Sequence, residues 1–277
     1  MKIVGKLTLI TLIILLYTSS VYSQKFHSGH EGHGKQESSK LNYDSLFTEA
    51  IPLSKSVEGQ ALIENCINKY GGEETLSKLN NYQLRYSMMP MMSSDSVNVI
   101  KSFDRNYKYK IVKEDSQKNE TRIFNGASAW FENTDTVMVI DSGRYKSEYF
   151  SFLTLSMPFG MKNIEFNQIR YGVRDEDPLS YIYMEKSDTL MIILGIDPTD
   201  HFIKSSEGIV YQGENNFVFI NKFDDFKKVN GYYFPFDLIN ISMGLEVARS
   251  RLSEVIVNGD IKENYFRPVI RNKSKSY

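Results

Sequence analysis

Residues 61–88 read ALIENCINKYGG (61–72), EETLSKL (73–79) and NNYQLRYSM (80–88). Leu62, Ile63, Cys66, Ile67 and Tyr70 recur at one-, three- and four-residue steps, so they share one face of a helix. Gly71-Gly72 ends it, because glycine reaches the left-handed backbone a helix terminus needs. Leu76 and Leu79 fit a second, shorter helical turn. The period then changes to two. Tyr82, Leu84, Tyr86 and Met88 alternate with Gln83, Arg85 and Ser87, the pattern of a half-buried strand. One apolar helix thus runs directly into a strand-rich region, and a curved sheet needs something on its apolar face.

Outward from this stretch the chain is mostly strand. Runs fall at 97–103, 107–112, 121–124, 128–132 and 136–140, then at 179–185, 189–196, 201–206, 208–211, 216–223, 232–242 and 245–257. Asn125-Gly126 and Asn230-Gly231 are strong hairpin-turn signals. Asp197-Pro198-Thr199-Asp200 has proline at the second position of a turn. The segment 148–157 (EYFSFLTLSM) carries large apolar groups stopped by Pro158 and Gly160, and reads as a helix or lid, with a strand as the alternative. These short strands and few helices, without a fixed repeat, predict a mainly β fold with some α. The architecture expected is an incomplete antiparallel barrel with helices covering its concave face.

Lys2 and Lys6 precede an apolar run, Leu7–Tyr17, too short for a membrane span. Val21-Tyr22-Ser23 presents small residues where a signal peptidase reads, so residues 1–23 read as a signal peptide cleaved before Gln24. Residues 24–57 read as a flexible, histidine-containing linker, with a short helical stretch near 43–50; the domain follows over 58–268, and 269–277 is a tail. No later stretch is apolar enough to cross a membrane. Removing residues 1–23 takes out Lys2 and Lys6 and no acid, which moves the net charge from −1 to −3. That balance gives no field favouring nucleic acid. Cys66 is the only cysteine, so no internal disulfide forms and the thiol reads as a buried core group.

No serine elbow, P-loop, zinc-protease helix or dinucleotide fingerprint is present. Asp197, Asp200 and His201 are explained by turn formation. The chemistry expected is therefore non-catalytic, without a cofactor. One metal-binding alternative stands beside it. His27, His30 and His33 lie at three-residue spacing, and Met88, Met89, Met91 and Met92 flank Pro90. Imidazole and thioether donors suit copper or zinc. The plainer readings are a polar tail that carries histidines and a soft apolar rim at a hairpin tip.

Four segments carry a resemblance: Gly71-Gly72 with Leu76-Ser-Lys-Leu79; Phe103-Asp-Arg105-Asn-Tyr107-Lys-Tyr109; Asn125-Gly-Ala-Ser-Ala-Trp130-Phe131; and Val229-Asn-Gly-Tyr-Tyr-Phe234-Pro-Phe236. In this order the chain resembles the LolA/LolB-like periplasmic lipoprotein-carrier superfamily and its outer-membrane lipoprotein-sorting relatives. The match is nearer to the uncharacterised relatives than to the carrier, and the histidine-bearing extension has no counterpart there. The resemblance implies a half-barrel whose cavity holds acyl chains of a lipid or lipidated protein. It also implies a periplasmic location, with inner- and outer-membrane assembly components as candidate partners. By the same resemblance Arg105 matches an arginine that helps close the lid; its plain reading is a surface arginine at a hairpin. Trp130 would line the cavity or fill the core. Tyr107, Tyr109, Phe150, Phe152 and Leu153 are further lining candidates. Leu62, Ile63, Cys66 and Ile67 are candidate roof residues.

Overall fold

The computed structural model describes residues 42–269 apart from 92, 94, 116–118, 141–164 and 213–214. A compact unit begins at Asp44. It opens with helix α1 (Tyr43–Glu49) and the two-residue strand β1 (Ile51–Pro52). Helix α2 (Val57–Lys69) and helix α3 (Gly72–Ser77) follow. α2 starts at Ser56, whose hydroxyl accepts the Gly59 N–H at 3.0 Å and so satisfies one of the free donors of the first turn. It stops where expected: Gly71, at φ +115°, takes the left-handed conformation.

The strands come in two runs. β2 (Asn81–Pro90), β3 (Val97–Asp104), β4 (Lys108–Glu114), β5 (Asn119–Phe124), β6 (Ala129–Glu132) and β7 (Val137–Val139) form the first. β8 (Gln168–Val173), β9 (Ser180–Ser187), β10 (Leu190–Ile196), β11 (Ile203–Gln212), β12 (Asn215–Val229), β13 (Tyr232–Ser242) and β14 (Leu245–Val257) form the second. Each run is an antiparallel meander, and β14 pairs with β2 to weld them. The result is one 14-stranded sheet in the order β1-β8-β9-β10-β11-β12-β13-β14-β2-β3-β4-β5-β6-β7. Its edges, β1 and β7, do not pair with each other, so the sheet is open.

The period-two reading located most of these strands and missed two. β8 (QIRYGV) mixes an arginine and a glycine into a short run, and β1 is too short to show a period. β11 reads as two strands, 201–206 and 208–211, with the break at Glu207, yet Glu207 pairs with both Ile193 and Ile220 in unbroken register. The two Asn-Gly pairs also differ. Asn230 and Gly231 both have positive φ, at 51° and 92°, which is the two-residue hairpin turn. Asn125 instead folds its side chain back, and its Oδ1 accepts the N–H groups of Ala127 and Ser128 at 3.0 and 2.9 Å. The loop there is four residues long.

One apolar face runs through the sheet. Tyr82, Leu84 and Tyr86 of β2, Phe103 of β3, Tyr109 of β4 and Phe124 of β5 share a buried cluster with Ile182 and Met184 of β9, Ile192 and Leu194 of β10, and Leu238 of β13. Leu62, Cys66 and Tyr70 of α2 belong to the same cluster. β10 (LMIILGI) is buried along its whole length. Its second face is covered from the β8–β9 connection, where Arg174 lies 3.8 Å over the Tyr181 ring and grips Glu207 with two hydrogen bonds of 2.7 and 3.1 Å. That is why β10 reads as a continuous hydrophobic run rather than an alternation.

Candidate functional site

The candidate site is the apolar face of β2–β5 together with the helical segment 57–81. α2 brings Leu62 and Cys66 to the core, and Ile63 packs against it, whereas Ile67 is only half-buried. Burial pushes the Cys66 thiol up to about 12, so it serves as packing and not as a nucleophile. At the end of α2, Tyr70 sits edge-on to Phe202 and Phe226 at 5.5 and 6.4 Å. Its hydroxyl accepts the Ile203 N–H at 3.4 Å. Phe202 and Phe226 stack at 4.2 Å. The helix end is therefore anchored by aromatic contacts to Phe202, just before β11, and to Phe226 of β12, far along the chain.

The connection between α3 and β2 is clasped twice. The Arg105 backbone N–H donates to Asn80 O at 2.8 Å, and its guanidinium donates to the carbonyl of Ser77 at the end of α3. From the other side, Asn258 Oδ1 accepts the Asn80 N–H at 2.7 Å and its Nδ2 donates to Lys78 O at 3.0 Å. Asn258 has φ 52°, a conformation asparagine tolerates better than most residues. The sequence carried no sign of this second clasp beyond an Asn-Gly at the end of a strand.

Alternation sorts the remaining candidates. Tyr109 is fully buried in the core, opposite Phe124 on β5 and Phe103 on β3. Tyr107, at φ 57° in the β3–β4 turn, packs against the core from the edge. Trp130 lies between Ala129 and Phe131, both of which contribute to the apolar face. It therefore points to the opposite face, paired with Ile123 and Val139. On that face the C-terminal segment takes the covering role. Tyr265 OH lies 3.0 Å from Ser102 Oγ, and Phe266 is buried. Phe150, Phe152, Leu153, His27, His30 and His33 fall outside the described residues.

Sequence reasoning passed over Lys101. In the run Val97-Asn-Val99-Ile-Lys101-Ser-Phe103 it occupies the same alternating register as Val99 and Phe103, and so faces the apolar side. It is 8% exposed, and its ammonium lies 4.8 Å from the Tyr86 ring centroid. Burial, with a smaller push from the neighbouring Lys113 charge, lowers it to about 7. The signal was present as a lysine on the wrong beat of a strand; its depth was not.

Among the described residues no group of three or more histidine, cysteine, aspartate or glutamate side chains is placed to hold a metal ion. No described helix is long and apolar enough to cross a membrane.

Together these features make an open antiparallel sheet whose apolar face is shared with a preceding helix, with Arg105 tying that helical segment to the β3–β4 turn. No protein-family model matches the sequence, and no curated protein matches it. Solved structures do. A LolA superfamily protein from Nitrosomonas europaea superposes with a TM-score of 0.50 at 11% identity, over 77% of this chain and 99% of that one. A domain from Vibrio parahaemolyticus provisionally assigned to the outer membrane lipoprotein-sorting proteins gives 0.46 at 10% identity, over 74% and 94%. A DUF1329 family protein from Desulfovibrio piger gives 0.47 at 7%, over 75% and 96%.

Proposed function

We propose that this protein is a non-catalytic binding protein of the periplasm that holds acyl chains, of a lipid or a lipidated protein, between the curved sheet and α2. The observation that carries this reading is the single apolar face shared by strands from both meanders and by Leu62, Cys66 and Tyr70 of α2, in a sheet that stays open. An open sheet with a helix laid on its apolar side can part at that seam. Burial of a methylene group contributes about 0.8 kcal/mol, so one acyl chain is a strong ligand for a dry apolar face. The likeness to the fold of the Nitrosomonas europaea protein supports the same reading.

Two further features fit it. Met89 near the end of β2 and Met91 just after it are exposed, as are Met243 and Leu245 of the β13–β14 hairpin. β14 pairs with β2 at this end, with Ala248 opposite Pro90, so these soft apolar groups form a rim at which a chain can enter. Arg105 is then a latch, because its bonds to Asn80 and Ser77 fix α3, and with it α2, to the β3–β4 turn. The signal-like residues 1–23 support export.

Native mass spectrometry of the protein recovered from its own periplasm tests the proposal. A co-purifying lipid or acylated protein is the expected result. Recovery of the protein bare, with no uptake of acyl chains added in vitro, overturns it.

A further inference from the structure

Among the described residues, Lys101 is the one charged side chain buried within the apolar face. Its cross-strand neighbours are Leu84 on β2 and Ile111 on β4. Val99 and Phe103 flank it along β3, and both are buried. Among the described residues its ammonium contacts the Tyr86 ring, and no carboxylate pairs with it. Burying an ammonium group without an opposite charge is costly. A methionine in the same place would fill the space without that cost.

Among the described residues, the charged groups facing Lys101 come from β4 and β5. Lys113 lies opposite Val99, one step along the face, and Arg122 lies opposite Ile111 in the same cross-strand row as Lys101. Glu120 lies opposite Lys113. β2 offers only the apolar and aromatic groups Leu84 and Tyr86. Lys113 and Arg122 have partners of their own, which leaves Lys101 itself: an ammonium 8% exposed, set among apolar side chains. Such a site favours a negative group arriving with an apolar body.

We infer that Lys101 is the head-group recognition residue of the acyl-binding face, and that the natural ligand is an amphiphile whose head carries a carboxylate or a phosphate. The inference rests on the acyl-binding reading above and narrows it from acyl chains in general to anionic amphiphiles. The chain lies along Tyr82, Leu84, Phe103 and Tyr109, and the anionic head pairs with the Lys101 ammonium. An anion there favours the protonated lysine and supplies the charge the buried site lacks.

Displacement of a fluorescent acyl probe by four sixteen-carbon competitors at pH 7 tests this: palmitate, hexadecyl phosphate, hexadecanol and methyl palmitate. Because a charge-assisted hydrogen bond is stronger than a neutral one, the anions should bind roughly tenfold or more tighter than the neutral compounds. The better of the two anions identifies the head. In Lys101→Met the preference should vanish, and Lys101→Arg should restore part of it. Melting of Lys101→Met at or above the wild-type temperature at pH 6 shows that the variant is folded. Equal binding of anions and neutral compounds by the wild type, or a preference that survives in Lys101→Met, overturns the role of Lys101 and leaves acyl binding standing. Failure of all four to displace, or of the probe to bind, overturns both.

Discussion

Lys101 shows how far one side chain can be displaced from its ordinary chemistry by its position. Its proton affinity is lowered to about 7 in the folded protein and returns to about 10.4 when the chain unfolds. Between those values the unfolded chain holds more protons than the folded one, so stability rises with pH. Below pH 7 the full penalty of a buried ammonium remains. The expected outcome is a denaturation midpoint that climbs from pH 6 to pH 9, with the climb reduced in Lys101→Met, measured by urea unfolding at each pH. Arg105 makes a different kind of contact. Its guanidinium and backbone hold Ser77 and Asn80, and each such bond contributes about 1 kcal/mol. Arg105→Leu is expected to speed release of a bound acyl probe several-fold with a small loss of stability. Stopped-flow release that matches the wild type removes the latch.

α2 is placed by contact rather than by propensity. Gly59, in its first turn, meets β8 so closely that an added Cβ would fall 2.6 Å from Tyr171 Cβ and 3.0 Å from Leu53 Cδ1. Gly59→Ala should improve helix propensity by up to about 1 kcal/mol in isolation. In the fold it should instead destabilise by about 1–3 kcal/mol, because a tightly packed site resists an extra methyl group. Urea midpoints of the two proteins check the sign. Acyl binding should weaken with it, since the same helix carries Leu62 and Cys66 to the apolar face. One end of α2 was legible in the chain, as a glycine pair after the last turn; the cap at Ser56 was not read there. The glycine at 59 was not, because a close approach to residue 171 leaves no mark on a helical period.

Across the molecule, burial is uneven along the sheet. β9 and β10 are buried on both faces or nearly so, whereas all three residues of β7 are exposed. Backbone amides with few buried neighbours open at little cost. Hydrogen exchange is therefore expected to be slowest across 181–184 and 190–196 and fastest across 137–139. Peptide-level exchange followed by mass spectrometry measures it, and protection of β7 equal to that of β10 would contradict this order. The weld between β14 and β2 joins residues far apart in the chain, as in the Leu252–Tyr86 and Ser250–Met88 pairs. Such pairing makes closure of the sheet a late and slow event in folding.

Local physics was enough for most elements. A strand's period of two, a helix's period near four and the backbone freedom of glycine are written into neighbouring residues, so β2, α2 and the Asn230-Gly231 turn could be read directly. So could the alternation that sets Trp130 opposite Ala129 and Phe131, and Lys101 beside Val99 and Phe103. Which of two alternating faces is buried is a different matter. It depends on what arrives from elsewhere: Leu62, Cys66 and Tyr70 join the buried cluster on one face, and Tyr265 and Phe266 lie on the other. The joining of the meanders, the depth of Lys101 and the second clasp at Asn258 depend likewise on residues distant in sequence. Residues 61–88 foretold a helix laid before a sheet. Only folding set Leu62, Cys66 and Tyr70 against strands from both meanders, because burial is a property of neighbours in space and not of neighbours along the chain.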